Sequence, residues 1–506
     1  MSKTVKAEAC GVLSALETTL GVQPTTGWTT VQPDQDGIND FYLKTTTVQP
    51  SPLTVLRQME APEQVDADSA PKLTLDLTMD HMYAWREGMM LVVTKHSGGT
   101  GVSRFFPTAR TTTAFTVAAG GALQAGTLMV SRGFIVGANA TANNTLLVVG
   151  AASTGTSITV AGGVAETVSG YLATLEVAGF RGAVGDIGID ANGNITSTAA
   201  NFTTMGLNVG QVIYVGGVPG SAFAFATAGY GGFVKINTIA ANLLTTSPVI
   251  RQWTQVAADT GAGKTIDLYW GSWLREVAFT STDYPAVEPS YQLELSWPGI
   301  GTAGATEYTY AQGQSVQQFK VTAAPKSLIK LEMSFIGTSV AGPTTTRATG
   351  AATANATLDV QRFNPVTKQR YCRFTDATTG AVLCNKISSW ALTHSNGVSP
   401  LKQQGFFGTF ENIMGKAEVG IDAEVYVNQD DAIKACRDNT TVSFGAGFNN
   451  GDGGMFFEVP SLKFTDATPK FPGNGAVMLS PKAGGFRDAV GNYTMGLSMF
   501  AFLPAS

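Results

Sequence analysis

Charge is scarce in this chain. Charged residues make up 14% of its 506 residues, against ~25% in ordinary globular proteins. The formal net charge is −5 and no Lys/Arg block stands out. That excludes the basic footprint of a protein that grips phosphate backbones. Histidine is rarer still: His81, His96 and His394 are the three present, and none sits at ligand spacing to another His or Cys. Four Cys without a CxxC make neither a disulfide framework nor a zinc site, and they fit synthesis in a reducing cytosol. No apolar run approaches the ~18 residues of a membrane helix. Glu8 and Glu17 flank the short apolar stretch near the start, so no signal peptide is expected. What is abundant is Gly, at 58 residues, with frequent Thr and Ala. This is a β-prone, turn-rich composition poor in helix formers.

Catalysis needs a constellation of groups, and the candidates fall away one by one. GAGKT (261–265) lacks the first Gly of a phosphate loop, since Ala258 stands there; it reads as a turn. DQDGIND (34–40) and DANGN (190–194) have the flavour of calcium loops without the helix context or distal Glu, and they too read as Asx/Gly turns. Cys372 and Cys384 bracket a hairpin turning at Thr379-Gly380. A disulfide between them is not expected. No GxSxG and no paired carboxylates in a pocket context appear. No catalytic residue, metal site or cofactor is expected.

A repeat is present instead. GINDFYLKTTTVQPSPL (37–53) aligns with KISSWALTHSNGVSPLK (386–402), placing Ile38 on Ile387, Phe41 on Trp390 and Leu43 on Leu392. The register holds downstream. At an offset of 348, KLTLDLTMD falls on GIDAEVYVN, 72 onto 420. Leu73, Leu75, Leu77 and Met79 alternate with polar residues, as do Ile421, Ala423, Val425 and Val427. Period two with one apolar face reads as a half-buried strand in both copies. A short helix is expected after each, capped by Asp80 and Asn428. Residues 52–70 and 401–418 read as long extended loops. Residues 308–337 resemble 455–471 followed by 491–502. Residues 96–265 read as small β-modules, in which 126–160 resembles 210–246. The expected organisation is therefore one β-domain over 1–95 and 266–345, an insertion over 96–265, and a second copy of the domain over 346–506.

Taken in order, ALETTLGVQPTTGWTTV (15–31), DFYLKTTTVQPSP (40–52), LTLDLTMDHMYAW (73–85), NFTTMGLNVGQVIYVGG (201–217), GGFVKINTIAANLLTT (231–246), YTYAQGQSVQQFKV (308–321) and SLIKLEMSFIG (327–337) resemble the major tail tube proteins of long-tailed, siphovirus-type bacteriophages. The resemblance is clearest over 10–90 and 200–340, and weakest in the C-terminal copy. It implies an all-β fold of two tandem tail-tube β-sandwich/barrel domains, each with one flanking helix. It implies a structural virion protein whose domains join sheet edge to sheet edge in rings of six. Rings would stack into a tube around a tape-measure protein, with terminator and tail-tip (baseplate) proteins at its ends. DNA later passes through the lumen, and no membrane is involved. With two domains per chain, three chains would complete a pseudo-sixfold ring.

The residues add two expectations. If strands 72–80 and 420–428 line the lumen, Asp76, Asp80, Glu418, Asp422 and Glu424 present carboxylates to it and repel passing phosphates. Apolar residues in loop-like sequence, Val55, Leu56 and Met59 in one copy and Phe406, Phe407 and Phe410 in the other, mark ring-to-ring contacts. The insertion would sit outside the tube. Rival readings are the inner tube of a contractile machine and a β-rich receptor-binding or adhesin-like module.

Overall fold

The computed structural model describes residues 9–51, 58–92, 104–134, 142–167, 173–254, 257–351, 361–427, 431–471 and 475–505. Strand accounts for 47% and helix for 6%, so the chain is all-β, and its sheets are open rather than closed into a barrel. The described helices include α1 (Met79–Met90) and α2 (Asp431–Arg437). No helix among the described residues is long and apolar enough to cross a membrane. Two compact units form. The first holds Met1–Val92, Phe279–Arg362 and Ala391–Gly420; the second holds Val93–Ala278, Phe363–Trp390 and Ile421–Ser506.

Twenty strands follow one scheme written twice. The first set is β1 (Gly11–Leu16), β2 (Thr29–Val31), β3 (Pro33–Asn39), β4 (Lys44–Val48), β5 (Glu63–Asp68), β6 (Lys72–Asp76), β7 (Tyr291–Trp297), β8 (Glu307–Ala323), β9 (Lys330–Ile336) and β10 (Ser339–Thr344). The second is β11 (Gln369–Asp376), β12 (Val382–Cys384), β13 (Ile387–Ser395), β14 (Ser399–Leu401), β15 (Glu411–Ile413), β16 (Glu418–Tyr426), β17 (Val442–Asn449), β18 (Gly454–Lys470), β19 (Met478–Gly485) and β20 (Gly496–Phe500). In the first set the antiparallel pairs are β1–β2, β1–β7, β7–β8, β8–β9, β8–β10, β6–β9, β3–β6 and β4–β5. Adding ten to every label gives the pairs of the second set. Two of the bulges coincide. β8 slips against β7 after Tyr291 and against β9 after Val316; β18 slips against β17 after Val442 and against β19 after Phe464. A bulge bends its strand and deepens the twist. Each long strand therefore gives its first half to one sheet and its second half to another.

The strand chemistry explains the faces. Leu73 and Leu75 of β6 and Val419, Ile421, Ala423 and Val425 of β16 are buried, while their alternate neighbours are not. α1 lies against its own set. Trp85 is fully buried, donates from Nε1 to Ser14 Oγ of β1 at 3.0 Å, and meets the Phe335 ring of β9 edge-on. Gly88 lets the helix approach β7 closely, since a Cβ there would sit 2.7 Å from the Tyr291 ring. In the second unit the stretches Val212–Val215, Gly232–Ala240, Leu243–Arg251 and Asp267–Tyr269 form a sheet. Its Tyr214, Phe233 and Tyr269 pack with Tyr371 of β11, Phe456 of β18 and Phe500 of β20. Gly447 of β17 makes room, because a Cβ there would meet both Phe233 and Phe456 at 2.8 Å.

Several local expectations need correction. The N-cap of α1 is Thr78, whose hydroxyl accepts from His81 N, not Asp80; Asn428 lies outside the described residues. The stretches expected as extended loops, 52–70 and 401–418, each hold the second strand of a hairpin, β5 against β4 and β15 against β14, and these short strands leave too few alternations to read. DQDGIND is no turn. It is most of β3, irregular between Pro33 and Ile38, where Gly37 crosses close to Thr74 O. The counterpart of 327–337 is β19, not 491–502, which instead holds β20. DANGN is the Asx turn expected, with Asp190 Oδ1 accepting from Asn192 N and Asn194 N. Cys372 and Cys384 are free thiols.

Candidate assembly interface

A sheet edge exposes unpaired N–H and C=O groups that must be satisfied somewhere. The second half of β8 has both its edges occupied. β9 takes one. Along the other runs β13, followed by the backbone bond from Asn396 N to Gln317 O at 2.8 Å. The His394 ring stacks on Phe319 at 5.0 Å between centroids, and both are fully buried. Asn396 fastens this edge. Its Nδ2 lies 3.0 Å from Gly88 O at the end of α1 and 2.9 Å from Val316 O at the bulge.

The hairpin β14–β15 then lies against the same body. Asn412 Nδ2 is 3.0 Å from Ile336 O and 3.2 Å from both Gly313 O and Ser315 Oγ. Val398 and Met414 pack with Leu91, and Tyr284 and Ile336 close the cluster. Lys402 reaches the carboxylates of Asp66 and Asp68 on β5. Its hydrogen bond holds the Asp66 carboxyl below the ordinary range. Partial burial pulls the Lys402 ammonium down, but the two carboxylates outweigh that and raise it.

The homologous edges of the repeat are bare. Equal register places Gln314 on Leu462 and Ser315 on Lys463. The second half of β18 therefore corresponds to the covered half of β8. Yet Thr465, Asp466, Thr468, Pro469 and Lys470 are exposed, and among the described residues no strand pairs with that edge beyond β19. β3, the counterpart of β13, pairs among the described residues with the one strand β6. Every residue of β4 is exposed. One joint is thus made within the chain, and among the described residues no strand completes the second, homologous joint.

The expected site residues fall into these surfaces. Asp76 is not a bare carboxylate: it pairs with Lys330, which also holds Asp34, and with Arg362. Glu424 pairs with Lys470, whose hydrogen bond lowers its pKa. Asp80 is half-buried, while Glu418 and Asp422 are exposed. The polar faces of β6 and β16 thus carry cations among their acids. Met59 is 83% exposed; Val55 and Leu56 lie outside the described residues. Phe406 and Phe407 are half in solvent, and Phe410 sits below them with its ring edge-on to Phe406. Sequence reading passed over Asn396, Lys402 and Asn412. A usable signal existed in Asn412, since Asn is depleted in strands and a strand Asn flanked by Ile413 and Met414 marks a specific polar contact.

Residues 234–483 match the family model described as phage tail tube protein. No curated protein matches the chain.

Proposed function

The chain belongs to the phage tail tube family, and from that premise we propose that it polymerises into stacked rings of three chains with pseudo-sixfold symmetry. The observation that carries this reading is the pair of homologous edges, one closed within the chain and one open. Each chain is read as two tail-tube domains, the first over 1–95 and 266–345 and the second over 346–506. The open half of β18 takes β3 of the next chain, repeating what β8 does with β13. Backbone groups left bare in the lone chain are then satisfied around the whole ring. A closed ring has no edge left to recruit strays.

The sheets built on β6, β9 and β16, β19 face the lumen. Their carboxylates, Asp76, Asp80, Glu418, Asp422 and Glu424, alternate with Lys330 and Lys470. With five carboxylates to two ammonium groups the wall stays net acidic and does not capture a polyanion, which suits a conduit for DNA. The tube would enclose a tape-measure protein and meet terminator and tail-tip proteins at its ends. Phe406, Phe407 and Phe410 contact the next ring, and Met59 lies on the homologous hairpin. The region 96–265 stays outside, because its sheet covers the β11–β17–β18–β20 face of the second repeat, away from the sheet proposed for the lumen. A bulky covering there leaves no room for a sheath, and favours a non-contractile tail. The role is structural and the location the virion tail.

Electron microscopy of the assembled protein, with symmetry determined ring by ring, tests the proposal. Stacked rings with a central channel and three chains each support it. Discrete particles without a channel overturn it in favour of an adhesin-like module.

A further inference from the structure

Within one chain the hairpin β14–β15 lies on β8 and β9, whereas its homologue β4–β5 is held at its base, by Lys402 on Asp66 and Asp68, and leaves Met59 to Val65 exposed. Counting back at the offset that puts 72 on 420, Gln64 of β5 occupies the place of Asn412. An amide replaces an amide. The surface that receives Asn412 has an equally close homologue. Gly313, Ser315 and Ile336 correspond to Ser461, Lys463 and Gly484 by the shared register of β8–β9 and β18–β19. Ser461 is buried, with its carbonyl accepting from Phe486 N and its hydroxyl donating to Asp488, but the rest of that surface is open: a Cβ on Gly484 would meet nothing within 4 Å, Lys463 is half-exposed, and Lys482 and Arg487 are exposed. The hairpin brings Glu60 and Glu63, both exposed, so the charges are complementary.

The apolar parts also match. In the bound hairpin, a Cβ on Gly408 would lie 3.5 Å from Thr338 O. Thr338 corresponds to Phe486, which is 40% exposed, and the stretch of chain matching Gly408 contains Met59. A thioether against an aromatic edge is a favourable, adaptable contact.

We propose that the β4–β5 hairpin of one chain docks on the second repeat of the next chain, Gln64 against Lys463 and Gly484 and Met59 against Phe486. The occupant is a second copy of this chain, because the first copy of the joint is already made by the chain's own homologous hairpin. This rests on the ring reading above and adds to it a hairpin-to-body contact alongside the edge pairing.

The test is a cysteine pair, Gln64→Cys with Lys463→Cys, in the full chain, oxidised before and after assembly. The expected result is covalent chain-to-chain products of up to three chains in assembled protein and none in dissociated protein. The pair Asn412→Cys with Ser315→Cys, placed across the 3.2 Å contact, should close within a chain and serves as the positive control. If the double variant does not assemble, Gln64→Cys alone decides: its thiol should lose maleimide reactivity at least tenfold on assembly. Three-chain rings in which the pair stays reduced, or in which the Gln64→Cys thiol keeps its reactivity, overturn the docking and leave the ring reading standing. Wild-type protein that forms no rings overturns both.

Discussion

Strands β8 and β18 have the same length, the same neighbours and the same two register shifts, yet their second halves meet different surroundings. From Ser315 to Ala323 no residue is exposed, whereas from Thr465 to Lys470 all but Ala467 are. The sequences differ accordingly. Phe319 takes the stacked His394 ring, and its counterpart is Ala467. The difference teaches where an interface is missing. A protein that ended as a monomer would blunt such an edge with bulges, prolines and charge. Along the bare half of β18 the one proline, Pro469, and Lys470 stand at the far end, and between the bulge and Pro469 the sole charge is Asp466.

The largest effect is expected at that edge. Thr465 sits at the bulge, outside the ladder with β19, so Thr465→Pro removes no pair of that ladder within the chain, only the exposed hydroxyl bond to Lys482 O. It removes the backbone N–H and crowds the incoming strand. The expected outcome is a folded chain that no longer forms rings, seen as loss of the assembled species in light scattering with unchanged circular dichroism. Gln317→Pro, at the homologous place, should instead destabilise the lone chain.

The two repeats also treat one buried position differently. Tyr310 of β8 corresponds to Glu458 of β18. The Tyr310 hydroxyl donates to Glu294 at 2.9 Å and accepts from Ala348 N, with Arg347 completing the group. Glu458 is fully enclosed, held by Lys235 and by the Tyr493 hydroxyl at 3.1 Å. Burial raises the Glu458 pKa, and the Lys235 charge offsets that in part. Glu458→Ala strands Lys235 and should cost about 3–5 kcal/mol. Tyr310→Phe leaves one carboxylate and one amide short, and should cost about 1–3 kcal/mol. Chemical denaturation of both variants measures the gap. Equal costs would show that Glu458 is not the anchor of its cluster.

The hairpins give the next contrast. Asn412→Ala unpairs buried carbonyls and should cost about 1–3 kcal/mol, whereas Gln64→Ala, exposed in the lone chain, should stay within about 0.5 kcal/mol. Measured in assembled protein, the Gln64 variant should dissociate more readily than wild type. The smallest effect concerns the Lys402 clamp. Asp66 has a lowered pKa when folded, so its contribution is present above the ordinary Asp value of ~3.9 and fades as pH falls through the folded value. The Tm difference between wild type and Asp66→Asn should be small at neutral pH and vanish in acid. A difference that grows in acid would reverse the assignment.

Much of this skeleton was legible in sequence. β6 and β16 announce themselves by clean alternation, and a fixed offset ties them together. The hairpins were not legible, because three to six residues cannot establish a period and both sides of β4 face solvent. β3 was hidden by Asp34, Asp36 and Gly37, residues that favour turns but are tolerated at an irregular edge. The joint itself was the least visible. It depends on which of two homologous edges is covered, and β8 and β18 alternate in much the same way whether covered or bare. The acids of the polar faces were legible as residues but not in their pairing. Lys330 lies more than 250 positions from Asp76, and only the β6–β9 register brings them together.

The most direct measurement is the mass and symmetry of one assembled ring. Three chains enclosing a channel, with β18 of each chain paired to β3 of the next, is the expected result. A ring of six chains, or a particle in which the β18 edge remains in solvent, would contradict the account.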